Sequence, residues 1–141
     1  MVRPRARELT DRELEVMQVF WKHGEMTVVE VRRLLADARV DRAYTTIATL
    51  VRILEGKGFV KKLPAKVRPF QFRPIRNQEE VVARMLADVV TRVFQGSREQ
   101  LLLQLPKQKK LTTKERAVMV AILKEDSSGA KRDPIRRSRD L

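Results

Sequence analysis

Residues 42–74 read RAYTTIATLVRILEGKGFVKKLPAKVRPFQFRP, and the order of patterns inside this stretch decides the fold. Ile47, Leu50, Val51 and Leu54 recur at helical spacing over Ala43–Lys57 and define one apolar side. Thr45, Ala48, Thr49 and Arg52 fall on the opposite side, which carries nothing large and apolar and need not be buried. Gly58 supplies a C-terminal glycine stop. Phe59-Val60 and Phe70-Gln71-Phe72 then read as two short strands, joined across Pro64 to Pro69 with Lys66 and Arg68 at the tip. From Gly56 to Gln78 there is no acidic residue, while Lys57, Lys61, Lys62, Lys66, Arg68, Arg73 and Arg76 are basic. Taken alone, the free helix face reads more readily as plain solvated surface. Beside a cationic hairpin it reads as a face that approaches a nucleic-acid groove, where Arg52 reaches a phosphate or a guanine edge.

Working towards the N-terminus, two more helices carry start signals. Thr10 with Glu13 forms a capping box, Leu9 and Leu14 a hydrophobic staple around it, and Leu14, Met17, Phe20 and Trp21 keep helical spacing up to His23-Gly24. Thr27 with Glu30 opens a second, shorter helix with apolar Val28, Val31, Leu34 and Leu35, ending near Ala38. Three helices followed by a basic hairpin is the order of a winged helix-turn-helix, expected over residues 9–75. Residues 1–8 read as a flexible basic arm.

Towards the C-terminus the pattern changes after Pro74. Glu79 to Gln95 predicts one long helix whose apolar residues come in adjacent pairs four apart: Val81-Val82, Met85-Leu86, Val89-Val90 and Val93-Phe94. That stripe is too wide for a helix resting lightly on a small domain, and a second copy of the same chain is a natural cover. Ser97 with Gln100 caps a short helix carrying Leu101, Leu102, Leu103 and Leu105, which Pro106 is expected to break before a basic loop, Lys107-Gln108-Lys109-Lys110. Thr112 with Glu115 caps a last helix holding Val118, Met119, Ile122 and Leu123. The candidate dimerisation set is Val82, Met85, Leu86, Val89, Val90, Val93, Phe94, Leu101, Leu102, Leu105, Met119 and Leu123, within a helical region at 76–125. Residues 126–141 read as a disordered basic tail. The fold class is therefore mainly α with a small β-wing: an N-terminal winged helix-turn-helix plus a C-terminal helical dimerisation region.

Across 141 residues, Lys and Arg number 31 against 18 Asp and Glu, a formal charge of +13, which favours polyanionic partners. The absence of cysteine excludes disulfides, thiolate metal sites and cysteine nucleophiles. No apolar run is long enough to span a membrane, and the N-terminus lacks the apolar core of a secretory signal, so a cytoplasmic location is expected. The single histidine, His23, sits at a helix end, where capping is the expected role. With no glycine-rich phosphate loop and no clustered metal ligands, catalysis, metals and cofactors are not expected. Few aromatic residues are free to stack on bases, which argues against a single-strand or RNA platform. A nonspecific or architectural nucleic-acid binder is the alternative that the charge alone permits.

In this order the motifs resemble the BlaI/MecI family of bacterial repressors, the penicillinase-repressor type. The resemblance rests on Leu9-Thr10, Glu13, Val16-Met17 and Trp21, then Thr27-Val28 with Glu30-Val31, then Ala43-Tyr44-Thr45-Thr46-Ile47-Ala48-Thr49-Leu50, and Leu54 with Lys57-Gly58. It implies a homodimer whose winged helices bind a double-stranded DNA operator. It further implies that Tyr44, Thr45, Thr46, Thr49 and Arg52 contact DNA and that Lys66 and Arg68 approach phosphates. Arg42, Lys61 and Lys62 complete the candidate DNA-binding set. In the penicillinase repressors a membrane sensor protease triggers cutting of an Asn-Phe bond. Here the matching position is Gln104-Leu105, followed by Pro106, and a regulatory protease or sensor is left open as a partner. Relatives that sense copper carry C-terminal cysteines, and this chain has none.

Overall fold

The computed structural model describes residues 8–132. Its elements run α1 (Asp11–His23), β1 (Met26–Thr27), α2 (Val28–Asp37), α3 (Tyr44–Lys57), β2 (Val60–Lys62), β3 (Gln71–Pro74), α4 (Gln78–Phe94), α5 (Arg98–Gln108) and α6 (Thr113–Arg132). The mainly helical winged fold read from the sequence is present. Both capping boxes at the start of the chain form. The Thr10 hydroxyl accepts the Glu13 N–H at 3.2 Å while the Glu13 carboxylate accepts the Thr10 N–H at 3.0 Å, and Thr27 and Glu30 do the same at 3.2 and 2.8 Å. Each reciprocal pair satisfies backbone donors that the helix itself leaves unbonded. Gly58 ends α3 in the left-handed region at φ 84°, which a residue with a Cβ adopts only at a cost.

The strands form one antiparallel sheet in the order β1-β3-β2. Phe72 stands opposite Met26 on one side and Lys62 on the other, and Val60 stands opposite Pro74. The two-residue β1 was not expected as a strand. It is too short to show alternation, and Thr27 serves both as a sheet residue and as the cap of α2.

Each element of this first part sends apolar side chains to one core. α1 contributes Val16, Met17 and Phe20; α2 contributes Val31 and Leu35; α3 contributes Ile47, Val51 and Leu54. Met26, Val60 and Phe72 close it from the sheet, Phe59 from the bend before β2, and Val81 from the first turn of α4. Burying each such side chain is worth about 1.5–3 kcal/mol against leaving it in water. Val16 joins Met17 and Phe20 in the core while Leu14 and Trp21 stay half-buried, because α1 packs on both α2 and α3. The Trp21 indole N–H donates to the carbonyl of Arg76 at 2.9 Å.

The chain divides into two compact units, with the division between Leu86 and Ala87 inside α4. The start of α4 belongs to the first unit because Val81 is buried in its core. Two expectations in the second unit need correction. α5 runs through Pro106 to Gln108 instead of breaking. The proline removes a single helical N–H, whose acceptor would be the carbonyl of Leu102, a residue open to solvent. α6 continues to Arg132, so residues 126–132, read from the sequence as tail, are helical. No proline lies between Pro106 and Pro134, and Gly129 alone costs only about 1 kcal/mol in a helix. The remainder of that tail and residues 1–7 of the expected arm lie outside the described residues.

Candidate nucleic-acid interface

The two faces of α3 are separated as its sequence requires. Ile47, Val51 and Leu54 are buried and Leu50 packs against them, while Tyr44, Thr45, Thr49 and Arg52 are exposed and Thr46 and Ala48 are half-buried. Threonines keep hydroxyl donors and acceptors close to the helix axis, so Thr45 and Thr49 can approach a base edge, with the exposed Tyr44 and Ile53 flanking them.

The start of α3 differs from the other helix starts. Its N-cap is Ala43, which has no side-chain cap hydrogen bond, and its first turn holds no acid. By contrast, Asn77 and Glu80 form a reciprocal pair at the start of α4 at 2.8 and 3.0 Å. The Ser97 hydroxyl accepts the Gln100 N–H at 3.1 Å, and Thr112 and Glu115 pair at 2.9 and 3.0 Å. The first-turn amides of α3 thus remain open at the positive end of the helix dipole, the end that favours an anion.

The wing follows from β2 and β3. Lys61, Lys62, Lys66 and Arg68 are all exposed, and Val67 at the tip is 76% exposed. The Phe70 ring organises two of these cations: the Lys62 ammonium lies 4.6 Å from its centroid and the Arg68 guanidinium carbon 5.8 Å. Lys61 stands directly opposite Arg73 across the ladder. Like charges in that position repel each other, and a polyanion laid on the wing relieves the repulsion. Arg73 was counted among the basic residues of the stretch but not placed in the DNA-binding set, although its alternation with Phe72 along β3 carried the signal.

Not every basic residue of the stretch is available. The Lys57 ammonium donates to the Glu13 carboxylate and to the Glu8 carbonyl, each at 2.7 Å, and Glu13 is only 4% exposed. That ion pair ties the end of α3 to the capping box of α1. Arg42 is engaged as well. Its guanidinium meets both carboxylate oxygens of Glu15 at 3.1 Å, and its own carbonyl accepts from Arg32 Nε at 3.0 Å. Arg76 lies with its guanidinium carbon 5.6 Å from the Phe59 ring.

In α4, Val82, Met85, Leu86, Val89 and Val93 are exposed and Val90 and Phe94 half-buried. In the later helices Leu102, Leu105, Met119 and Leu123 are exposed and Leu101 is half-buried. From Val82 to Ser127 no residue is buried. Among the described residues no helix is long and apolar enough to cross a membrane.

The family model described as penicillinase repressor matches residues 9–125. The chain belongs to the penicillinase repressor family. The match begins just before α1 and ends within α6, so the family's sequence pattern takes in the winged unit and the exposed helices alike. Similar to it are two proteins named transcriptional regulator BlaI, from Mycobacterium tuberculosis strains CDC 1551 / Oshkosh and ATCC 25618 / H37Rv. Each is 33% identical over 93 residues, covering 64% of this chain and 66% of the relative. The match therefore spans just under two thirds of the length of these curated relatives.

Proposed function

We propose that the protein is a dimeric, sequence-specific DNA-binding transcriptional repressor that reads a pseudo-palindromic operator with α3 and the wing. The observation that carries this reading is the polar, exposed face of α3, with an uncapped start, beside a wing free of acidic residues in a penicillinase repressor chain. In this reading Thr45, Thr49 and Arg52 meet base edges in the major groove, with Tyr44 and Thr46 at its rim, and Lys61, Lys62, Lys66 and Arg68 meet phosphates. Phosphate contacts supply affinity and base contacts supply the choice of sequence. Two copies joined through the exposed apolar residues of α4, α5 and α6 present two recognition helices, so half-sites lie about 34–36 Å apart or at a multiple of that spacing.

Selection of bound fragments from random DNA with the purified protein tests this. The expected product is a two-fold symmetric site whose affinity falls steeply with salt, and Arg52→Ala relaxes the choice of base at one position per half-site, at a cost of about 1–3 kcal/mol. Equal affinity for random and selected fragments would instead support a nonspecific or architectural binder. Gln104 and Leu105 lie within the regular turns of α5. A regulatory protease acting there would need α5 to open locally first.

A further inference from the structure

We infer that Arg42 is a positioning residue for α3, acting through Glu15 of α1, and does not itself hold DNA; this rests on the DNA-reading role proposed above for α3. Arg42 is fixed from two directions. Its side chain makes a bidentate pair with Glu15, Nε to Oε1 and a terminal nitrogen to Oε2, both at 3.1 Å. Its carbonyl accepts from Arg32 Nε of α2 at 3.0 Å. The paired side chains are 27% and 26% exposed, so water screens the pair only in part. Arg42 immediately precedes Ala43, the N-cap that offers α3 no side-chain bond. α1 and α2 are held at their starts by acids of their own first turn. α3 is held from outside, by a residue placed before the helix.

The chemistry of the pair matters. A guanidinium engaged by both oxygens of a carboxylate is fixed in plane as well as in distance, which sets the direction in which the chain enters α3. An acid inside the first turn would give similar rigidity, but it would also set a negative charge where a phosphate must come. Arg42 and Glu15 keep the orientation and leave the first-turn amides to the phosphate. The pair commits two of the five N–H donors of Arg42 and neutralises the charge that would draw it to a phosphate.

The test measures operator affinity, and its dependence on salt, for Glu15→Ala, Arg42→Ala and Arg42→Lys, with thermal unfolding confirming that each variant is folded at the assay temperature. Removing the negative charge of Glu15 should by itself favour DNA, so a loss of affinity in Glu15→Ala is diagnostic. The expected result is a drop of about five- to tenfold in all three variants, a size common for coupled neighbours, with the salt slope unchanged. The exchanged pair, Glu15→Arg with Arg42→Glu, should recover part of the loss. Arg42→Lys keeps the charge and disturbs the fold least, so it decides the matter if an alanine variant unfolds. The inference is overturned if Glu15→Ala binds as well as or better than the parent while Arg42→Ala lowers the salt slope by about one phosphate. It is also overturned if all three variants lose melting temperature but keep full affinity. If the parent protein has no preferred DNA site, the functional proposal itself has failed, and the two failures are thereby told apart.

Discussion

The residues before and after Leu86 are built from the same helical signals and reach opposite ends. On both sides the helices start with capping side chains: Thr10 and Thr27 in the winged unit, Ser97 and Thr112 beyond it. Only the winged unit converts its helices into an interior, and beyond Val81 no residue through Ser127 is buried. Capping is a property of a few consecutive residues, whereas a core requires a second surface. The winged unit finds that surface within itself. The later helices carry Leu102, Leu105, Met119 and Leu123 without one, so in the proposed reading their stability depends on a second chain.

The sharpest way to break this contrast is to remove core atoms on one side. Phe20→Ala should cost about 3–5 kcal/mol of stability in denaturant unfolding, since the ring is fully buried, and a loss under 1 kcal/mol would mean the winged core is not self-contained. On the other side, a variant with both Val89→Glu and Leu123→Glu should leave that unfolding transition in place. It should sediment as a monomer and bind a two-half-site operator about 100-fold more weakly, because the linkage between half-sites is lost. A monomeric parent protein at micromolar concentration would remove the basis for the comparison.

Smaller effects refine it. Lys57→Ala leaves the buried Glu13 carboxylate without its ammonium partner and should cost roughly 2–3 kcal/mol, measured in the same unfolding experiment. The smallest difference lies in the caps. Thr10→Ala should lower the stability of the winged unit by about 1 kcal/mol, whereas Thr112→Ala should leave it unchanged and only fray the start of α6, seen as faster amide exchange there.

What could be read from the sequence follows the same division between local and distant. The capping boxes, the Gly58 stop, the two faces of α3 and the basic wing were legible because each depends on neighbours within one or two turns. The Asn77 and Glu80 pair was missed, although it repeats the same spacing with asparagine in place of a hydroxyl. The bond from Trp21 to Arg76 and the pair of Arg42 with Glu15 join residues 55 and 27 positions apart, and no periodicity announces them. Arg42 shows the limit well: nothing in its neighbours along the chain points to Glu15, its partner on α1. At Pro106 and along 126–132 the local rules overstated the break, since one lost hydrogen bond or one glycine is a cost that a helix can absorb.

Trp21 is the only tryptophan in the chain, and its indole N–H is tied to the carbonyl of Arg76, where the strand leaving the wing turns towards α4. Its fluorescence therefore comes from a single joint. Unseating that segment from the end of α1 would expose the ring to water and shift its emission to the red. The protein thus carries its own optical gauge of the passage from wing to α4, usable without a label while operator DNA is titrated in.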